Sequence, residues 1–450
     1  MRTSTGCRSC RFRHKKCDLG KPTCAGCQRN QLLCAWDDEL ASLEDQQYNH
    51  EWASLGAIVR KNNPHIALSP IPSLRGTKSQ SLYAHFVHCT SDAVSTRDVS
   101  ANPFLQILLP LARHYDMVLE AVLALSGAHC LQKGYQDYAH ITWSHYTHAL
   151  RQVKYGLTRV VERRDFATPL TICTLLFAFI EVVRGDTDGN AFHHLRGTRY
   201  LLGAIPRVHL DAASSHIYGF ILEWYSYLLS LSTLCDTQPD ETITHYSAGI
   251  FLELSRIDAS SSSGVLCGCA YDLFGMIPHA TVLARRIHTE RQLQGGISPA
   301  TQAAREELLG AVRRWQPASA PKDHITAGKI YQLALVALLV SELRSGSPTA
   351  LQATVDQVVL LLEDLPAESN VTTTLCWPLG ILGGFAQTDR AQRVIRAYLS
   401  RMTERYGFGN FRQTLGLLDS IWDKKVQPAQ TGALTLQLMM ETNGYYFILA

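Results

Sequence analysis

The sequence predicts a chain of two ordered parts: a small N-terminal domain folded around metal, followed by a large all-α helical domain. Three observations carry that prediction. Six cysteines are gathered at Cys7, Cys10, Cys17, Cys24, Cys27 and Cys34. From about Leu82 onward apolar residues recur with a helical period, and the alternation typical of half-buried strands is scarce. Hydrophobic residues make up 46% of the 450 residues, ample for a sizeable core in the second part.

The cysteines read C-x2-C-x6-C twice, with six residues between the two halves, so the segment is a small internal repeat. Each half offers three thiolates, whereas a structural zinc takes four ligands in a tetrahedron. Two zinc ions need eight ligand positions. Six sulfurs supply them only if two are shared, one from each half. Disulfides are the competing reading for six cysteines in a secreted chain. Met1 to Thr5 leads straight into the motif without an apolar stretch, so a secretory leader is not expected. A single four-cysteine zinc with two spare thiols would leave the repeated spacing unexplained.

The residues between the cysteines indicate what the metal core presents. Residues 1–36 contain Arg2, Arg8, Arg11, Arg13, Lys15, Lys16, Lys21 and Arg29 against one acid, Asp18, a formal charge of +7. The segment is too short for an apolar core and therefore depends on metal to fold. Arg11, Arg13, Lys15 and Lys16, with His14 among them, lie between Cys10 and Cys17, where a short helix can follow the C-x2-C turn. A folded knob with a basic helix matches the phosphates of double-stranded DNA, and Lys or Arg at its start can reach guanine edges in the major groove. A charge run is commonly a solvated face or a localisation signal. Here the metal-held cysteines on both sides favour nucleic acid.

CRSCRFRHKKCDLGKPTCAGCQRNQLLC resembles the binuclear zinc cluster DNA-binding domain of fungal transcription regulators. The resemblance covers about the first 36 residues. It implies two zinc ions bridged by the first and fourth cysteines, Cys7 and Cys24, with Pro22 turning the loop between the halves. It also implies reading of CGG-type triplets through Arg13, His14, Lys15 and Lys16. His14 departs from the usual Lys or Arg and, being mostly neutral near pH 7, would grip phosphate less or alter base preference. Arg8, Arg11, Lys21 and Arg29 are then expected to position the DNA backbone.

The whole chain carries only +3, so residues 37–450 carry −4 and the basic charge is local to the N-terminus. Residues 37–80 are expected to be a linker. They open on Asp37, Asp38, Glu39, Glu44, Asp45 and Glu51 and continue into a Pro- and Ser-rich stretch. A coiled coil started at Leu40 and Leu43 would next need Gln47, His50, Ser54 and Ala57 in its seam, so the heptads fail at once.

Residues 81–450 are expected to form the helical domain. Asp116 begins a helix carrying Val118, Val122 and Leu125, ending around Gly127, with Pro110 separating it from the apolar run LQILL. The clearest amphipathic stripe follows: Tyr146, Leu150, Val153, Leu157 and Val160. Further helices are expected at 168–184, 190–203, 216–235, 268–290, 300–315, 326–344 and 350–364, with Ser260 to Gly264 as a surface loop. Thr388 or Asp389 caps a helix that buries Val394, Ile395, Tyr398, Leu399 and Met402 and stops at Gly407 or Gly409. A last helix carries Leu415, Leu418, Ile421 and Trp422. LALSGAHCLQKG and HYTHALRQV, with LCWPLGILGG through RYGFGNFRQTLGLLDSIWDKK, resemble the large helical regulatory domain that follows the zinc cluster in one branch of these regulators.

No catalytic residue is expected. The acidic trio at Asp37 to Glu39 lacks a helical frame and a second cluster, His140, His145 and His148 spread round a helix, and Cys267-x-Cys269 reads as buried apolar thiols. The apolar run Leu170 to Ile180 is too short to cross a bilayer, so no membrane partner is expected. The composite reading is a zinc-dependent, sequence-specific regulator of transcription by RNA polymerase II. It would sit in the nucleus, bind double-stranded DNA, contact transcription machinery or co-regulators, and pair as a homodimer, if at all, through its helical domain. A zinc-dependent protein- or RNA-binding regulator is the alternative, weakened because Phe12 and Trp36 are the only aromatics available to stack bases.

Overall fold

The computed structural model describes residues 6–7, 10, 15–21, 23–29, 72–74, 76–97, 99–160, 166–205, 212–236, 242–256, 264–317, 320–341, 348–423, 437, 440–442 and 444–450. The acidic linker, the heptad test at 40–57 and the loop at 260–263 lie outside them. One short helix, α1 (Ala25–Arg29), belongs to the cysteine segment. Every other helix named below belongs to the large domain, and among the described residues there is no strand, only an isolated parallel bridge between Asp188 and Tyr446.

The large domain opens with α2 (Thr77–His85), which spans the expected boundary at 80/81 and runs on through a π-helical turn, Phe86–Thr90. A second π-turn, Phe104–Leu108, leads into α3 (Leu109–His114), so Pro110 lies within the first turn of a helix rather than at a break. The break falls at Tyr115, whose backbone is extended.

α4 (Asp116–Gln132) is buried along nearly its whole length and packs against α5 (Ala139–Leu157) and α6 (Ala167–Arg184). It does not stop at Gly127. That glycine lies in the middle of the helix, where a Cβ would stand 2.1 Å from Thr142 Oγ1 of α5, so it permits close approach of two helices. On α5 and the turn after it the expected stripe divides: Val153 and Val160 are buried and Tyr146 packs against the core, while Leu150 and Leu157 face outward and Thr142, His145, Ala149 and Gly156 fill the rest of the inner face. Residues small enough to let α5 lie close to α4 and α6, not the largest apolar ones, decide its inner face.

α6 is 18 residues long and apolar enough to cross a membrane by length and composition, as is α12 (Lys322–Ser341). Ninety-four per cent of the α6 window is buried inside the protein. Gly185 ends α6 in the left-handed conformation, φ 70°, and the backbone there crosses that of Gly409, where a Cβ would lie 2.6 Å from the Arg184 carbonyl carbon. Asp186 then accepts the N–H of Asn190, so Arg184-Gly185-Asp186 is a helix-ending turn.

The chain continues through α7 (Asn190–Leu202), α8 (Ala212–Ser232), α9 (Thr242–Arg256), α10 (Tyr271–Gln294) and α11 (Pro299–Arg314) to α12. α13 (Pro348–Asp364), α14 (Cys376–Gly383), α15 (Asp389–Tyr406) and α16 (Gly409–Asp423) complete it. Thr388 caps α15 by accepting the Ala391 N–H, and Gly407 at φ 70° ends it, as the sequence predicts. α9 and α14 were not foreseen. One shared core runs through all these helices, with Trp224, Trp377, Phe104 and Phe177 among its largest fully buried side chains.

Several titratable groups inside that core are paired, although the indole nitrogens of Trp224 and Trp377 have no hydrogen-bond partner among the described residues. His145 lies 2.5 Å from Glu120 and 3.0 Å from Ser79, so it is structural, while His140 and His148 are exposed. Cys267 is buried with its N–H on Glu223, and Cys269 donates its thiol to the His324 carbonyl. His129 joins three elements: Nε2 donates to the Tyr406 carbonyl at 2.7 Å, and Nδ1 faces Thr90 Oγ1 at 2.9 Å and His85 at 3.3 Å. Burial, with His85 and Lys133 nearby, pushes its imidazole down to about 3.

Because the folded pKa lies below that of the unfolded chain, stability is full above the ordinary imidazole range and falls as pH drops from there. His129 should therefore account for about 2 kcal/mol lost between pH 7 and pH 5. Urea unfolding followed by far-UV circular dichroism at the two pH values checks this, with His129→Gln losing that share of the pH dependence.

Candidate metal centre and nucleic-acid interface

The described cysteines of the N-terminal segment are unpaired by disulfides, and their sulfurs converge. Cys7 Sγ lies 3.7 Å from Cys24 Sγ and 3.5 Å from Cys27 Sγ, and Cys10 Sγ lies 3.6 Å from Cys24 Sγ. A disulfide would hold two sulfurs at about 2.05 Å. A tetrahedron with zinc–sulfur bonds of about 2.3 Å has edges of about 3.8 Å. The observed spacings are those of thiolates around a shared metal.

Cys7, Cys10, Cys17 and Cys24 have all four sulfurs within 4.8 Å of one another. Three of these come from the first half of the repeat and the fourth, Cys24, from the second. The second half thus reaches across to complete a four-sulfur set, while Cys7 reaches the other way to Cys27. Donor type, number and spacing fit zinc. Cys34, expected as the sixth ligand, lies outside the described residues.

Local structure holds the halves together. The Gln28 N–H closes the first turn of α1 on the Cys24 carbonyl, and the Cys27 N–H donates to Cys24 Sγ at 3.3 Å. Burial works against ionisation of Cys24, but that N–H and the neighbouring thiols outweigh it and bring its pKa down to about 7. Burial and the Cys24 thiol push Cys10 up to about 11. Of these two sulfurs Cys24 is the more readily ionised, the state a metal ligand needs. Gly26 brings α1 over this group: a Cβ there would stand 3.4 Å from Cys10 Sγ.

Sequence reasoning counted Asp18 only as the segment's single acid. In the structure both its carboxylate oxygens accept the Ala25 N–H, at 3.0 and 3.1 Å, so it caps α1 from the far side of the loop. Those backbone bonds hold its carboxyl below the usual range. Leu19 follows at φ 61°, a left-handed turn that costs a non-glycine residue about 1–2 kcal/mol. Spacing alone could not reveal the cap, since seven residues separate acid from amide.

Lys15, Lys16, Lys21 and Arg29 are exposed, with the Lys15 N–H bonded to the Cys10 carbonyl at 2.9 Å. Arg29 Nε donates back to the Ala25 carbonyl at 3.3 Å, which lays its guanidinium along α1. Arg8, Arg11, Arg13 and His14 lie outside the described residues.

A four-sulfur metal centre with exposed lysines beside it, on a chain that continues into an all-α domain, defines the class of zinc-cluster regulators. Residues 81–429 match the fungal specific transcription factor domain, and residues 5–41 match the fungal Zn(2)-Cys(6) binuclear cluster domain. The chain belongs to the fungal specific transcription factor family and carries its DNA-binding zinc domain. Among curated proteins it is 42% identical over 50 residues to white-opaque regulator 2 of Candida albicans, covering 11% of each chain. It is 51% identical over 37 residues to transcription factor lfc1 of Flammulina velutipes, 8% of this chain and 13% of that one. It is 36% identical over 80 residues to the thiamine biosynthesis regulatory protein of Saccharomyces cerevisiae, 18% of this chain and 14% of that one. The matches thus span only about an eighth of these relatives' lengths. No solved structure matches the chain.

Removing the Asp18 cap should loosen the second half. In competition with a chromophoric chelator, Asp18→Ala is expected to lose zinc faster than the native chain. Asp18→Asn, which keeps an acceptor, should fall between them.

Proposed function

We propose that this protein regulates transcription by RNA polymerase II through sequence-specific binding of duplex DNA, with two zinc ions per chain folding the reader and the helical domain controlling output. The observation that carries the reading is the completion of a first-half four-sulfur set by Cys24. It supports Cys24 as one of two shared sulfurs, with Cys7, placed near both Cys24 and Cys27, as the other. Cys7, Cys10, Cys17 and Cys24 would hold one ion, and Cys7, Cys24, Cys27 and Cys34 the second. Zinc supplies no chemistry here beyond fixing the chain, since a segment of this size has no core of its own.

Arg13, His14, Lys15 and Lys16 are proposed to read CGG-type triplets in the major groove, and Arg8, Arg11, Lys21 and Arg29 to set the phosphate register. The exposure of Lys15 and Lys16 and the restrained guanidinium of Arg29 support that division. We place the protein in the nucleus, with co-regulators acting on its helical domain and any homodimer formed there. Both family matches are transcription-factor domains, which fits a chain without catalytic work.

Elemental analysis should find two zinc ions in the native chain. Cys17→Ser should retain the second ion, whereas Cys24→Ser should retain neither.

Gel-shift titrations test the contacts. Lys16→Ala should weaken binding to a CGG-containing duplex more than to random duplex, by the equivalent of about 1–3 kcal/mol. Arg29→Ala should weaken both alike and flatten the salt dependence. Equal selectivity losses in the two variants would count against this assignment.

A further inference from the structure

The outer face of α5 leaves apolar side chains partly exposed: Trp143 is 37% exposed, and Leu150 and Leu157 are each 42% exposed. They stand seven residues apart, the spacing of a coiled-coil seam, and so form one outward stripe two turns per step. Tyr146, one turn from Trp143, is partly buried, meets Phe177 at a tilted angle and places its hydroxyl 3.3 Å from His194 of α7.

The exposed charge on α5 itself is basic: the helix contains no Asp or Glu, while His140, Arg151 and Lys154 are exposed on its outer arc beside the stripe. Arg184 of α6, 5.4 Å from the Trp143 ring centre, is neutralised by Glu181 at 2.8 Å and adds no free charge. A second copy docking through the same face would set these cations against each other, which argues against self-pairing. A helix with apolar residues at heptad spacing and carboxylates beside them would match both the stripe and the charge.

We infer that the outer face of α5 is the docking site for an acidic amphipathic helix of a partner protein. The inference rests on the reading of this chain as a transcription regulator, and the partner would be a co-regulator recognised by that chemistry. Apolar anchors set affinity, and Arg151 and Lys154 select the sign of the incoming charge.

The probe is a fluorescein-labelled three-heptad synthetic helix with Leu at a and d and Glu at e and g, beside its counterpart carrying Lys at e and g. Titrated with the full zinc-loaded chain, the Glu helix should bind and the Lys helix should not. Leu150→Asp with Leu157→Asp should weaken binding roughly tenfold or more. Arg151→Glu with Lys154→Glu should reverse the preference between the two helices. All four positions are exposed, and an unchanged far-UV circular dichroism spectrum and urea midpoint serve as the check on folding of the helical domain. Equal binding of both helices, or no loss in the Leu variant, overturns the inference. So does sedimentation showing a dimer that depends on Leu150 and Leu157, or binding seen only after residues 37–60 are deleted, which would mean the chain's own acidic segment covers the face. In cells, the Leu variant should occupy its DNA sites normally but alter transcription from them. Normal occupancy with unaltered output defeats the docking site alone, whereas loss of occupancy by the native chain defeats the DNA-binding reading.

Discussion

The approach of Cys24 to Cys7 and Cys10 is the constraint on which the N-terminal segment of this protein depends. Without it the two halves of the repeat share no core, because the buried residues there are the thiols themselves. Everything else in the segment is arranged to make that approach possible. Asp18 anchors the start of α1, Leu19 accepts an unfavourable backbone turn, and Gly26 lets the helix lie against sulfur. The turn at Leu19 is a local conformational cost, and metal–thiolate bonding, at roughly 10 kcal/mol or more in small zinc domains, exceeds it comfortably.

The large domain is built on a different principle. Its helices meet where side chains are small: Gly127 against Thr142, Gly156 against Leu170, Gly185 against Gly409. Close approach brings backbones together and leaves room for the large aromatics to fill the centre, where Phe104, Phe179, Phe220 and Trp224 pack edge to face. His129 belongs to this scheme as a neutral hydrogen-bonding bracket between α4, the π-turn after α2 and the end of α15. It secures elements far apart in sequence without placing a charge in the core.

These two principles explain what the sequence disclosed. The six-cysteine spacing gave the metal centre because coordination geometry leaves few alternatives. Most long helices were legible from apolar periodicity, and the limits of α15 from Thr388 and Gly407, where capping chemistry is local. What escaped was non-local. Gly127 looks like a terminator until Thr142 is known to lie against it, and Asp18 looks like a stray acid until Ala25 is brought to it. The stripe on α5 is legible as apolar, but not that Leu150 and Leu157 would point outward while Val153 turns inward. Periodicity identifies a face and cannot say which of two faces is covered.

The outward leucines of α5 bear on function. A helix whose largest apolar residues point outward while Thr142, Ala149 and Gly156 pack inward carries a face whose exposure the fold itself does not require. Exposed apolar surface is unfavourable in water, and a cationic rim with no carboxylate on the same helix adds repulsion that a purely structural element would dilute. The basic residues of the N-terminus are those proposed to address phosphate, yet the rest of the chain is acidic on balance. A local cationic face in an acidic domain therefore stands apart from the DNA-binding charge, and its apolar stripe asks for a partner that nucleic acid, lacking an apolar helix, cannot supply.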